Sequence, residues 1–325
     1  MGFWDRKKVL VTGGGGFIGS HVVELLLKSG RGVKVTVGDH AGPIKRRNLK
    51  AVWKDVRFIP SELTDPAAAK RLCKGQDVVI NMAASVGGVG YNSAHPGSLF
   101  RDNMSIGLNV IEAARRADVG RYVVVSSACV YPRECKIPTP EGEGFRGEPE
   151  ITNAGYGWAK RMQEYTGRAY HDEYGMQVAI ARPYNAYGPR DHFDPERSHV
   201  IAALVKRVCD GENPVKVWGD GKTTRSFLYV EDFARGVLEV AAKYPKADAL
   251  NIGADDEISI RDLSNMIVHL AGTGAKLNFD PSKPSGQPRR RCDVSKAQKT
   301  IGFKARVGLE EGLAKTIAWY REHEA

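Results

Sequence analysis

No stretch of the sequence stays apolar for the roughly 18–20 residues that a bilayer crossing needs. A cleavable leader is not expected, because "MGFWDRKKVLVTGG" runs straight into a strand pattern. Arg6 stands where an N-myristoylation motif requires Ser or Thr. These absences argue against a membrane protein. Cysteine is scarce: Cys73, Cys129, Cys135, Cys209 and Cys292 form an odd set without metal-ligand spacing. No metal site is expected, and a reduced, cytoplasmic setting fits. Internal repeats and nucleic-acid-binding motifs are also missing, although the net charge is +10. Basic residues are scattered apart from "KRR" at 45–47 and "RRR" at 289–291. The excess reads either as solvated surface or as attraction for a phosphorylated substrate and cofactor.

What is present in the first half is alternation. Apolar, β-branched runs at 7–13, 33–39, 55–65, 76–84, 121–128 and 177–189 read as strands. Between them, 17–30 and 103–117 have helical spacing, and 17–30 ends on Gly30. Alternation of this kind predicts the α/β class: a doubly wound parallel sheet with helices on both faces and right-handed crossovers. After residue 189 loops, helices and short strands mix. We therefore expect a dinucleotide-binding domain over 1–189, with later elements interleaved, and a smaller substrate-binding lobe over 190–325. The Pro/Gly-rich segment 280–291 reads as an ordered loop or a flap.

"VTGGGGFIG" follows the first strand and opens the first helix. Gly13, Gly16 and Gly19 let the chain turn tightly and approach a pyrophosphate, and the helix N-terminus favours its anionic oxygens. In this context the motif is specific for a Rossmann-type dinucleotide site. Asp39, ending the second strand, would accept from ribose hydroxyls and repel a 2′-phosphate, which favours NAD over NADP. The basic run at 45–47 points the other way. Asp65 is either an adenine contact or a helix N-cap before Pro66. "YGWAK" places Tyr156 and Lys160 on one helix face. A neighbouring ammonium would lower the tyrosine pKa and make it a usable acid/base.

The ordered set "GGGGFIG", "SSACVYP", "YGWAK" and "RPYNAYGP" resembles the extended short-chain dehydrogenase/reductase family of nucleotide-sugar epimerases and dehydratases over nearly the whole chain. Within it, "AASVGGVGYN", "GPRDHFDPERSHVIAAL" and "FDPSKPSGQPRR" look like GDP-L-fucose synthases, while "SSACVYP" and "WGDGKTTRSFLYVED" look like both those and GDP-mannose 3,5-epimerases. The resemblance implies cofactor contacts from Phe17, Ile18, Leu63, Ala83 and Ala84 as well. It assigns Ser127 to the sugar O4, Ser126 being its confusable neighbour, and gives Cys129 and His199 the exchange of ring protons. Thiol and imidazole suit this, since both have reference pKa values within roughly two units of neutral. A buried structural thiol at Cys129 and a helix-capping role for His199 are the alternatives. The resemblance further implies substrate contacts from Asn185, Arg207, Trp218, Arg225 and Lys283, with guanidinium forks on the diphosphate, and a homodimer built through the helices at 103–117 and 156–174. The leading expectation is an NAD-dependent GDP-hexose epimerase working through a transient 4-ketone and inverting C3 or C5 or both. The alternative is an NADPH-dependent epimerase–reductase of a GDP-linked 4-keto-6-deoxy sugar. A dehydratase would carry an acidic pair where "ACVYP" stands.

Overall fold

The computed structural model describes residues 2–195, 198–283 and 287–325. Strands β1 (Lys8–Thr12), β2 (Lys34–Asp39), β3 (Val56–Pro60), β4 (Val78–Asn81), β5 (Arg121–Val125) and β6 (Val178–Pro183) come first. The shorter β7 (Ala186–Tyr187), β8 (Val215–Trp218), β9 (Thr224–Arg225) and β10 (Leu228–Tyr229) follow, then β11 (Lys246–Ile252), β12 (Ile258–Ser259), β13 (Leu277–Asp280) and β14 (Arg289–Arg290). The helices are α1 (Phe17–Ser29), α2 (Pro43–Asn48), α3 (Pro66–Cys73), α4 (Val89–Ala94), α5 (Pro96–Arg116), α6 (Ala154–Tyr174), α7 (Val200–Cys209), α8 (Val230–Lys243), α9 (Ile260–Ala271), α10 (Ser295–Ile301) and α11 (Leu309–His323).

Seven strands form one parallel sheet in the order β11-β6-β5-β4-β1-β2-β3. Side chains alternate across it, as the pleat requires. Val9 and Val11 enter a core with Val22, Val23 and Leu26 of α1 and Phe233 and Val237 of α8. Leu10, between them, enters the opposite core with Leu72 of α3 and Val110 and Ile111 of α5. Both faces are thus covered, which is why the strands read as continuous apolar runs rather than as alternating ones. The fold is the doubly wound Rossmann type expected. Strand order reverses between β1 and β4, and a crevice opens there at the carboxyl ends of the strands.

The later part of the chain builds a third core from Ile201 and Val205 of α7, Leu263 and Ile267 of α9, and Leu313 and Ile317 of α11. The lobes interleave, because α8 and β11 return from beyond residue 190 to the central sheet. Small sheets carry the cleft's far wall: β8 with β13, and the three-stranded β12-β9-β14. In the 280–291 segment β14 is ordered against β9, while 284–286 lie outside the described residues, as do 196–197. The five cysteines are unpaired. No described helix is long and apolar enough to cross a membrane.

Candidate active site

A cleft of about 1100 Å³ runs from the glycine turn across the ends of β1, β4 and β5 to β8 and β9. That is at the upper end of the roughly 300–1000 Å³ of a pocket for one drug-sized ligand, the size class of a large, extended ligand. Gly13, Gly16, Phe17, Ile18 and Gly19 line its first end. A Cβ on Gly13 (φ +65°) would lie 2.9 Å from the Ala83 Cα, and one on Gly19 would lie 2.2 Å from the Gly13 carbonyl oxygen. The helix α1 begins at Gly16 without a capping side chain, leaving its first N–H groups for an anion. Thr12 Oγ accepts from the Met82 and Ala83 amides at 3.0 and 3.1 Å, which ties the β4 end to the glycine turn. Leu63, Ala83 and Ala84 line the cleft as well. These features fit a dinucleotide.

Asp39 braces that turn: its carboxylate accepts from the Gly15 amide at 2.9 Å and pairs with Lys45 Nζ at 3.2 Å. Of the basic run, only Lys45 reaches the cleft. Arg46 lies over Trp53, and Arg47 pairs with Glu324 at 2.7 Å and lies over Trp319. Asp65 is not brought to the cleft. Its carboxylate caps α3 by accepting from the Ala67 amide at 2.9 Å, the helix-cap alternative, and the residue is exposed.

Ser127, Cys129, Tyr156, Lys160 and His199 all line the cleft. The two serines separate at the end of β5. Ser126 is buried and donates to Glu164, whose carboxylate is also forked by Arg182 at 2.6 and 2.7 Å. Ser127 faces the cleft near the Tyr156 phenol and accepts from the Cys129 amide at 3.1 Å. The expected lowering of the Tyr156 pKa by Lys160 is reversed. Burial pushes the phenol well above 10, and the neighbouring Cys129 adds to it, outweighing the opposite pull of Ser127. Lys160 sits 5.6 Å from the ring centroid and donates instead to the Val125 carbonyl at 2.8 Å and to Gln163 at 3.3 Å. Burial lowers its own pKa to about 8. His199 occupies the N-cap position of α7, yet its side chain makes no capping hydrogen bond. Its imidazole is exposed in the cleft, and the surrounding protein, His192 and Arg290 together lower its pKa.

Among the expected substrate contacts, Asn185, Arg207, Trp218 and Arg225 line the cleft, and Lys283 does not. Lys283 is exposed on the turn after β13. Arg207 and Trp218 stand at the far end beside Lys216, whose carbonyl Arg207 holds. Asn185 donates to the Ser226 carbonyl at 2.8 Å. Burial and the charge of Arg290 pull the Arg225 pKa down to about 10, as for a cation placed to receive an anion. Arg290, Glu150, Gln287 and Asp191 also line the cleft and were not singled out from sequence. Arg290 stands close enough to Cys129 for the two to act on each other's charge. Its signal was the basic run at 289–291. On a strand the run alternates, so Arg289 turns out to Glu257 at 2.7 Å while Arg290 turns in. The other three carry no sequence pattern.

The fold and this cleft define a nicotinamide-dependent enzyme of the extended short-chain dehydrogenase/reductase class. The chain belongs to the NAD dependent epimerase/dehydratase family, whose model matches residues 9–253. It is 34% identical over 322 residues to the probable GDP-L-fucose synthase 1 of Oryza sativa subsp. japonica, covering 97% of this chain and 92% of that one. It is 32% identical to a dTDP-4-dehydro-6-deoxy-D-allose reductase of a Streptomyces species, covering 99% and 98%. Among solved structures it is similar to UDP-glucose 4-epimerase of Thermotoga maritima, with a TM-score of 0.88, 28% identity, and 97% and 99% of the two chains covered. It is also similar to the dTDP-glucose 4,6-dehydratase of Streptomyces venezuelae, with a TM-score of 0.84, 30% identity, and 97% of each chain covered.

Proposed function

We propose that this chain is a nucleotide-sugar epimerase–reductase that takes a GDP-linked 4-keto-6-deoxyhexose, exchanges protons on the carbons beside the ketone, and reduces C4. The observation that carries the reading is the meeting of Ser127 and Tyr156 with Cys129 and His199 in one cleft. A reductase with no epimerising step has no use for the second pair. The GDP-L-fucose synthase relatives support the GDP linkage and the reductase ending.

A bound nicotinamide supplies the two-electron exchange at C4. The chain's own residues move the protons. Tyr156, held protonated by burial, delivers a proton to O4, which is what reduction of a ketone demands, and Ser127 hydrogen-bonds the same oxygen. Lys160 orients the cofactor ribose. The 4-ketone acidifies the C–H bonds on either side of it. His199, kept neutral by its surroundings, accepts a ring proton and the Cys129 thiol returns one. Arg225 and Arg207 pair with the diphosphate, and Trp218 packs on the base.

A second reading, a GDP-hexose 3,5-epimerase that oxidises and re-reduces C4 with retained NAD, is favoured by Asp39, which suits the unphosphorylated ribose. Lys45, paired with that carboxylate, cancels part of its repulsion of a 2′-phosphate. One comparison separates the readings. The protein is incubated in D2O with GDP-4-keto-6-deoxymannose and either NADPH or NADH, and in parallel with GDP-mannose and no added cofactor. Deuterium at C3 or C5 together with loss of 340 nm absorbance supports the epimerase–reductase. Deuterium in GDP-mannose alone supports the closed-cycle epimerase, and no exchange in either removes the GDP assignment.

A further inference from the structure

Glu150 has a carboxylate that the protein does not satisfy. The residue is 4% exposed, yet it lines the cleft. Its Oε2 has no hydrogen-bond partner among the described residues. Its Oε1 meets Arg133 at 3.4 Å, and that arginine's side chain is largely in solvent. Glu150 stands at the N-cap of the turn Ile151–Asn153, where its side chain caps nothing. An orphaned buried carboxylate oxygen is costly and rare in folded proteins, and it calls for a donor. A phosphate cannot be that donor, because it is itself an anion. A hydroxyl can.

The neighbours say which hydroxyl. Pro149, next in the chain, bridges to Pro132, and a Cβ on Gly157 would touch both Pro149 and the Cys129 carbonyl. Glu150 therefore flanks the loop that carries Cys129. It also lies close enough to Arg225 to act on that guanidinium's charge. On the proposed function, on which this inference rests, Cys129 serves a carbon beside C4 and Arg225 serves the diphosphate on C1. Two paths join those points around a hexose. One runs through the ring oxygen, which has no hydrogen to give, and the other runs through C2.

We propose that Glu150 is the residue that reads the sugar's C2 hydroxyl, so that the site selects nucleotide sugars with a donor there over 2-deoxy sugars. A site built to accept from a hydroxyl discriminates strongly against the analogue that lacks it, because the carboxylate is left unpaired again.

Calorimetric titration with GDP, GDP-mannose and GDP-2-deoxymannose tests this. The parent protein is expected to bind GDP-mannose at least about tenfold more tightly than the 2-deoxy compound. In Glu150→Ala that ratio is expected to fall to about one. Glu150→Gln, which keeps the volume and an amide oxygen but no charge, is expected to fall in between, and it covers the case in which the alanine variant does not fold. A parent that binds both sugars equally, or variants that keep the parent's ratio, overturns the role of Glu150 while leaving the function intact. A parent that binds GDP but neither sugar leaves no C2 hydroxyl for Glu150 to read and overturns this inference, whereas the proposed function stands or falls on GDP-4-keto-6-deoxymannose itself.

Discussion

Ser126 and Ser127 are identical side chains one bond apart, and the pleat sends them to different chemistries. Ser126 closes a buried network with Glu164 and Arg182, while Ser127 faces the cleft. Cys129, two residues on, sits in a single turn and donates its own amide to the Ser127 hydroxyl. Replacing Cys129 by Ser is expected to abolish deuterium uptake at the ring carbon while C4 redox persists at a measurable rate. NMR of the product in D2O reads both, and full exchange in the variant removes the thiol from the mechanism. Asp191 shows how far burial alone reaches. It lines the cleft, accepts from the His192 amide at 2.7 Å, and is pushed by desolvation from 3.8 to about 7. The folded protein therefore keeps that proton from about pH 4 to about pH 7, where the unfolded chain has released it, so stability falls as pH rises through this window and then levels. Asp191→Asn retains an acceptor oxygen and removes the charge. It is expected to match the parent near pH 4 and to exceed it at pH 8 by roughly 2–4 kcal/mol. Denaturation midpoints at the two pH values check this, and equal midpoints at pH 8 would show that the buried charge costs nothing.

At the scale of elements, periodicity decides which of several like residues matters. The helix α2 spreads Lys45, Arg46 and Arg47 around its circumference, so one meets Asp39, one Trp53 and one Glu324. The strand β14 splits Arg289 from Arg290. Both splits follow from backbone geometry, yet neither was readable before the secondary structure of two short segments was known. The helices α5 and α6 pack side by side and leave Phe100, Leu108, Trp158 and Tyr165 exposed. Phe100 and Leu108 are two turns apart, and so are Trp158 and Tyr165, so each pair lies along one stripe. We propose that this face is the seam of a homodimer in which two such pairs form a four-helix bundle. Light scattering is expected to give twice the chain mass for the parent and the chain mass for a Leu108→Glu, Tyr165→Glu double variant. A monomeric parent would end the proposal.

At the scale of the whole molecule, the proposed function gives the net charge of +10 a role, since its two ligands would both be polyanions entering one cleft. Long-range attraction of that kind is screened within about 10 Å at 0.1 M salt. Turnover per substrate encounter is then expected to fall several-fold as ionic strength rises from about 0.02 to 0.3 M, with kcat nearly constant. A flat kcat/KM would assign the charge to ordinary solvated surface.

Much of this molecule was legible from residue order. The apolar runs of β1 through β6, the glycine turn and the Tyr156–Lys160 pair are local signals, set by hydrogen-bond periodicity and by positions where a Cβ has no room. They carried the Rossmann sheet. Tertiary structure decided what depends on neighbours brought together by the fold: Lys45 covers Asp39, Arg290 stands beside Cys129, and the Tyr156 phenol is raised rather than lowered. In each case the outcome turns on desolvation and on charges brought together across the cleft, and neither is a property of any short stretch of chain.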